Sequence, residues 1–206
     1  QQGLPDAEAV AACALASQRA ESGHSGEARA LLASAQTRLQ PESEANLWAQ
    51  LDCARIGGRA LRYLGDYERA ETQIAKAAQL MRVRYGQDRL ASGARLFKLS
   101  EVRHSQYVDM LNGLAIAHIQ SGHFRAAEAT LNELRALLQE QGRENSNQMA
   151  NVYGNLAAAQ RALGRYESAR ENSDLGLNLQ RKRNPKGLNP STICLRAQLA
   201  QKLAEP

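Results

Sequence analysis

Aromatic residues and proline are scarce in this chain. Of its 206 residues only 4% are aromatic and five are proline, whereas 43% are apolar. A chain of this length can bury a core as one domain or one compact array. Because proline interrupts helices, its scarcity favours helix. The alternating apolar and polar pattern of a half-buried strand nowhere extends over more than a few residues. The composition therefore predicts an all-α fold.

Cysteine is also rare, and its three positions, Cys13, Cys53 and Cys194, lie far apart. The odd number and the wide spacing predict neither a disulfide scaffold nor a C-x-x-C zinc or redox site. We interpret the cysteines as small buried apolar residues, with reactive thiols as the alternative. The four histidines are scattered, so we expect no metal ion, and no motif points to a cofactor.

Long hydrophobic runs and catalytic motifs are missing as well. No run of about 18 apolar residues occurs, so we expect no membrane span. No charged and then apolar leader is visible, and we expect a cytoplasmic location. The zinc motif H-E-x-x-H, the phosphate-binding G-x-x-x-x-G-K and the nucleophile motif G-x-S-x-G do not occur. We therefore expect a protein that is not an enzyme.

A repeat is the most informative feature that is present. Four segments are alike around Gly23, Gly65, Gly122 and Gly164, which lie 42, 57 and 42 residues apart. Seven residues before each glycine and five residues after it, every copy has Ala or Gly. These eight small positions are Ala16, Gly58, Ala115, Ala157, Ala28, Ala70, Ala127 and Ala169. Glycine permits a tight turn and small side chains permit close helix crossings, so each copy is predicted to be a helix pair.

The fourth copy carries the pattern most completely. Its matching residues are Tyr153, Asn155, Leu156, Ala157, Gly164, Tyr166 and Ala169. The pattern resembles the tetratricopeptide repeat, and the 42-residue period resembles its kinesin-light-chain-like variant. This resemblance covers roughly residues 9–180 and implies a right-handed superhelical solenoid of antiparallel helix pairs. The chain departs from the family at Ser25 and Ser173, and at the aromatic residue of the first helix, which is replaced in all four copies.

The repeat and its flanking segments predict nine helices. Eight are expected at 5–22, 25–39, 42–64, 67–85, 103–121, 124–141, 146–163 and 166–181, and the ninth begins at Ser191. We expect four units within residues 1–181, at about 5–40, 41–85, 103–142 and 145–181, with an insertion at 86–102. Residues 182–206 are predicted to be a linker and a C-terminal capping helix. The insertion is interpreted as a backward extension of the third unit's first helix, with a mobile flap or an ordered loop as alternatives.

Three arginines form the candidate site. Arg55, Arg59 and Arg62 follow the spacing i, i+4 and i+7, which places them on one face of a helix. In the resembled family the first helices line a concave groove, which implies a groove position for these residues and for the corresponding ones of later units. Those later residues are Asn112, Asn151, Asn155 and Arg161. Arginine binds carboxylates and asparagine binds a peptide backbone, so all seven are predicted to contact a partner. The alternative is a solvated basic face partly paired with Asp52.

We therefore predict a protein- or peptide-binding scaffold, the interaction part of a larger signalling or assembly protein. Its partner would be an acidic or C-terminal segment held in the groove. Nucleic-acid binding by the basic face is the alternative, although it requires stacking aromatics that this chain has in small number. A structural domain that forms homo-oligomers through exposed apolar edges is the third interpretation.

Overall fold

The computed structural model describes the backbone of residues 3–40, 46–91, 97–183 and 190–204, and the side chains of 5–40, 46–83, 105–183 and 193–203. Over these residues the chain consists of nine helices and their turns, without a strand, so the predicted all-α class is confirmed. The helices are α1 (Gly3–Glu21), α2 (Ser25–Arg38), α3 (Leu47–Tyr63), α4 (Tyr67–Ala91), α5 (Phe97–Gln120), α6 (Phe124–Glu140), α7 (Asn147–Ala162), α8 (Tyr166–Arg183) and α9 (Pro190–Ala204). None of them, as far as the chain is described, has the length and apolar character of a membrane span.

Two helices extend six residues beyond a predicted end. α4 continues to Ala91 instead of ending at 85, and α5 begins at Phe97 instead of 103. The extra residues of the insertion thus lengthen the helices on both sides, because no proline interrupts 86–91 or 97–102. The predicted helix start at 42 and the centre of the insertion at 92–96 lie outside the described residues.

The four predicted glycine turns share one backbone geometry. Gly23, Gly65, Gly122 and Gly164 have φ angles of 82°, 75°, 78° and 75°. At the first turn the His24 amide donates to the Arg19 carbonyl at 2.8 Å, and the Gly23 amide donates to the Ala20 carbonyl at 3.1 Å. The other three turns repeat both bonds. A left-handed residue closes each helix in this way and satisfies its last carbonyls.

All eight predicted small positions are buried. Ala16 and Ala28 lie in one apolar cluster, and Ala157 and Ala169 lie in another. The third helix is even more constrained, since a Cβ atom on Gly58 would lie 2.5 Å from the Ile74 side chain. The small residues therefore let neighbouring helices approach closely, as the sequence pattern predicts.

The chain divides into two compact units, Gln1–Ala117 and His118–Pro206. In the first unit α1 packs against α2 and α3, and α3 packs against α4. A disulfide between Cys13 and Cys53 joins α1 to α3, with the two Cα atoms 5.5 Å apart. Both residues are buried as predicted, but the packing of α1 against α3 brings them together as a disulfide, which the sequence did not predict. Cys194 is exposed rather than buried.

In the second unit α7 packs against α6 and α8, and α9 packs against α8 and the adjacent part of α7. Leu199 of α9 is fully buried against Ala157 and Ala169, and Leu195 packs beside it. An ion pair between Arg196 and Asp174 adds a polar contact between α9 and α8. The C-terminal helix thus covers apolar surface on the last helix pair.

Candidate functional site

Helix α3 carries Arg55, Arg59 and Arg62, here called the arginine face. At 3.6 residues per turn these three positions span about 60° of the helix circumference. The opposite side of α3 is buried and includes Cys53, Gly57 and Ala60, with Gly57 packed near Leu32. Because its other side is fixed in the core, α3 presents the three arginines as a set.

Two of the three arginines have acidic partners inside the first unit. Arg55 lies 3.1 Å from the carboxylate of Asp52, one turn earlier on α3. Arg59 lies 3.1 Å from Glu21 at the end of α1, and Tyr63 donates a hydrogen bond to the same carboxylate at 3.0 Å. The Arg59 guanidinium also lies 5.9 Å from the centre of the Tyr63 ring. The interpretation of a basic face paired with Asp52 therefore holds for Arg55.

Arg62 has a different environment. It is half-buried, and it has no acidic partner among the residues that the structure describes. Its Nε atom is buried without a hydrogen bond. Burial lowers the pKa of the Arg62 guanidinium, Tyr63 acts in the opposite direction, and Arg59 lowers it further. Since an arginine stays protonated at neutral pH, Arg62 is a partly desolvated cation whose charge no carboxylate of the described residues balances.

Two aromatic side chains flank the arginine face. Trp48 and Tyr63 are 38% and 50% exposed, near the two ends of α3. Trp48 precedes Arg55 by seven residues and Arg59 by eleven, so it lies on the same side of the helix. The sequence interpretation assigned the aromatic residues mainly to packing positions and missed these two. Trp48 could have been found, because it lies seven residues before Arg55 and so continues the spacing of the arginines towards the start of α3.

The other predicted site residues belong to both units. Asn112, half-buried on α5, belongs to the first unit with the arginines. Asn151 and Asn155 are one turn apart on α7 in the second unit, the first exposed and the second half-buried. Arg161 lies six positions further along α7, about 120° around the helix from Asn155. It lines a separate hollow of 290 Å³ beside α9 with Tyr166, Gln198, Gln201 and Lys202.

The groups of the arginine face can bind an anion and an apolar side chain. Guanidinium groups donate paired hydrogen bonds to carboxylates, and aromatic rings supply rigid apolar contact area. An arginine keeps its proton near neutral pH, so the three guanidinium groups do not act as proton donors or acceptors in catalysis. Arginine, tryptophan and tyrosine are also the residues that most often dominate the energy of protein interfaces.

A comparison of the sequence with protein-family models finds no match. A comparison with curated protein sequences finds none either. The resemblance to the tetratricopeptide repeat therefore stays a prediction from the sequence.

Proposed function

We propose that the chain is a non-enzymatic binding module that holds an acidic or C-terminal protein segment on the arginine face. Arg62 carries this proposal, because it is a half-buried cation with no acidic partner in the described part of the chain. A carboxylate from a partner would balance its charge and pair with guanidinium donors that are already partly desolvated. Such a module would be the interaction part of a larger signalling or assembly protein.

The proposed fold behind this site is a right-handed solenoid of tetratricopeptide-like helix pairs. Four turns of equal geometry and eight buried small positions support it. So does the packing of α1 against α3, since the first helices of successive pairs lie side by side in such arrays. In this arrangement the arginine face would line the concave side of the first two pairs.

Binding would use the members of the face differently. Arg62 would pair with the ligand carboxylate directly, whereas Arg59 would first have to share or exchange its contact with Glu21. Trp48 and Tyr63 would contact apolar side chains on either side of the acid. Several residues of a segment would therefore contribute, with one acidic group as the anchor.

Fluorescence anisotropy with a library of acidic peptides, each with a free and an amidated C-terminus, tests the proposal. Arg62→Gln should weaken binding by roughly tenfold or more, because it removes a charge-assisted contact from a partly desolvated site. Arg29→Gln is the matched control, since Arg29 is an exposed arginine on α2, a different helix from the one that carries the face. Equal binding by the parent and Arg62→Gln proteins would remove the arginine face from the site.

Single-stranded nucleic acid is a second candidate ligand, favoured by the exposed rings of Trp48 and Tyr63 beside three arginines. Bases stack on such rings while arginines contact phosphates. The carboxylates of Glu21 and Asp52 lie in the same place and would repel phosphates. Binding to oligonucleotides should decrease steeply with salt and ignore sequence, whereas peptide binding should depend on the anchor residues.

The redox conditions of the compartment determine whether Cys13 and Cys53 of the first unit form a disulfide. Disulfides persist in oxidising compartments and are rare in the cytoplasm, where thiols are kept reduced. The Cys13–Cys53 disulfide thus favours an oxidising location over the cytoplasmic one expected from the sequence. In a cytoplasmic protein these two residues would be a pair of buried thiols.

A further inference from the structure

A cavity of 540 Å³ reaches the disulfide that joins α1 to α3. Most of its lining comes from α2, α3 and α4, and Cys13 and Cys53 both belong to it. The buried side chains of Leu32 and Leu51 line it as well. The cross-link of the first unit is therefore part of the wall of a cavity.

The cavity is open to solvent beside its exposed residues. Gln36 and Gln40 line it and are exposed, and Leu80 of α4 lines it with 37% of its surface exposed. Cys13 and Cys53 are only 3% and 7% exposed, so the disulfide lies at the buried end of this opening. A small molecule that enters the cavity thus comes close to a bond that a protein-sized reagent does not reach.

The volume of the cavity suits a small thiol. A water molecule occupies about 30 Å³ in the liquid, and small-molecule sites usually occupy about 300–1,000 Å³. The volume of 540 Å³ is within this second range. Because the cavity is open, part of a larger molecule can also remain outside it. A thiol of the size of dithiothreitol or glutathione therefore has room to bring its sulfur to the disulfide.

The surroundings of the disulfide also suit its reduced form. Sγ of Cys53 lies 3.2 Å from the carbonyl oxygen of Ala9 on α1. A thiol at this position can donate a hydrogen bond to that oxygen. Ala35 and Ala49 belong to the same apolar cluster as the two cysteines, and apolar surroundings favour a thiol over a thiolate. Reduction therefore gives Cys53 a thiol group whose acceptor is already in place.

We propose that this cavity is a thiol-exchange site, where a small thiol of the glutathione class reduces the Cys13–Cys53 disulfide without unfolding of the first unit. The thiolate of the small thiol attacks one of the two sulfur atoms, and the S–S bond breaks. The other cysteine leaves with the electron pair as a thiolate and takes up a proton. A second small thiol then attacks the mixed disulfide. The cysteine pair gains two electrons and becomes two thiols, and the two small thiols become one disulfide.

Exchange at this site would let the redox conditions of the compartment act on the folded protein. The bond ties α1, which carries Glu21, to α3, which carries Arg59. It is thus a covalent link between the two helices that contribute to the arginine face and its acidic partner. The exchange does not depend on what the arginine face binds, so it can be tested without a peptide.

Reduction of the folded protein by dithiothreitol, a small dithiol that drives the reaction to completion, tests the proposal. The cysteine thiols are counted by mass spectrometry after alkylation, and every protein carries Cys194→Ser to remove the exposed thiol. Ala33→Trp should slow reduction by roughly tenfold or more, because Ala33 is exposed and lines the cavity, so the indole ring obstructs access. Ala30→Trp is the control, since Ala30 is exposed on the same helix but does not line the cavity.

Low concentrations of urea separate reduction through the cavity from reduction of an unfolded form. Reduction through the cavity should be proportional to the dithiothreitol concentration and nearly independent of urea well below the unfolding midpoint. Reduction of an unfolded form instead accelerates with urea in step with the unfolding equilibrium. A rate that follows this equilibrium, or equal rates for the two tryptophan variants, would overturn the proposal. Should Ala33→Trp fail to fold, the urea dependence of the parent protein decides the outcome.

Discussion

At the scale of single residues, identical side chains acquire different roles from their neighbours. The three arginines have the same spacing on one helix, yet Arg55 and Arg59 contact carboxylates and Arg62 contacts none in the described part of the chain. The sequence predicts the shared face from its periodicity. It does not reveal the partner of Arg59, because Glu21 is 38 residues away and meets it only through the packing of α1 on α3.

Glu21 should compete with any acidic ligand for Arg59. Glu21→Gln would remove this competition, so we expect acidic peptides to bind several-fold more tightly to the variant than to the parent. The melting temperature should change little, because both partners are about half exposed and such pairs contribute about 0–1 kcal/mol. Glu27→Gln removes an equally exposed pair with Arg19 and serves as the control. Weaker peptide binding by Glu21→Gln would contradict a competing role for the carboxylate.

Two glycines near the same isoleucine provide a sharp test of helix crossing. A Cβ atom on Gly58 would lie 2.5 Å from Ile74, whereas one on Gly113 would lie 3.9 Å from it. Gly58→Ala should therefore lower the free energy of unfolding by about 1–3 kcal/mol through overpacking. Gly113→Ala should leave it unchanged or raise it by up to about 1 kcal/mol, because alanine favours helix. Denaturant titrations of the two variants should give opposite signs, and equal effects would exclude a close crossing at Gly58.

At the scale of helices and turns, the repeat predicts the elements better than their contacts. The glycine turns, the small positions and most helix ends follow from local chemistry, and all are observed. The resembled family has an aromatic residue on the first helix of each pair, which this chain lacks. The sequence does not show which contacts take its place. In the fourth pair that position is Gln160, which donates to Glu128 at 3.1 Å and accepts from Asn172 at 2.8 Å. Polar contacts between α6, α7 and α8 thus occupy the place of an aromatic ring.

The last helix should stabilise the second unit mainly through one side chain. Leu199 is fully buried, whereas Ile193 on the same helix is 46% exposed. Leu199→Ala should lower the free energy of unfolding by about 2–5 kcal/mol, and Ile193→Ala by far less, because only the first leaves a cavity. Denaturant titration of the two variants measures both effects. Similar stability of the two variants would show that α9 does not pack through Leu199.

At the scale of the whole molecule, helical class follows from composition and period, whereas cross-links and cavities do not. Cys13 and Cys53 are 40 residues apart, and only the packing of α1 on α3 shows that their Cα atoms lie 5.5 Å apart. The cavity between α2, α3 and α4 is likewise a product of packing, since its lining comes from four helices. The arrangement of these helices as a solenoid stays a prediction.

The disulfide gives a prediction for the entire chain. Under denaturing, non-reducing conditions one thiol, that of Cys194, should react with Ellman's reagent, and peptide mapping should find Cys13 linked to Cys53. Reduction should lower the free energy of unfolding by about 2–4 kcal/mol, because it frees a loop of 40 residues in the unfolded chain. Three reactive thiols in protein purified without reductant would contradict the disulfide.

A charge-swap cycle tests the central claim, that Arg62 contacts an acidic group of the partner. The best-binding acidic peptide is compared with a version in which its anchoring acid is lysine, each against the parent protein and Arg62→Glu. Direct contact predicts that each single change weakens binding and that the two together restore part of it, with a coupling of about 1 kcal/mol or more. A coupling near zero, with both changes acting independently, would show that Arg62 does not contact the anchoring acid.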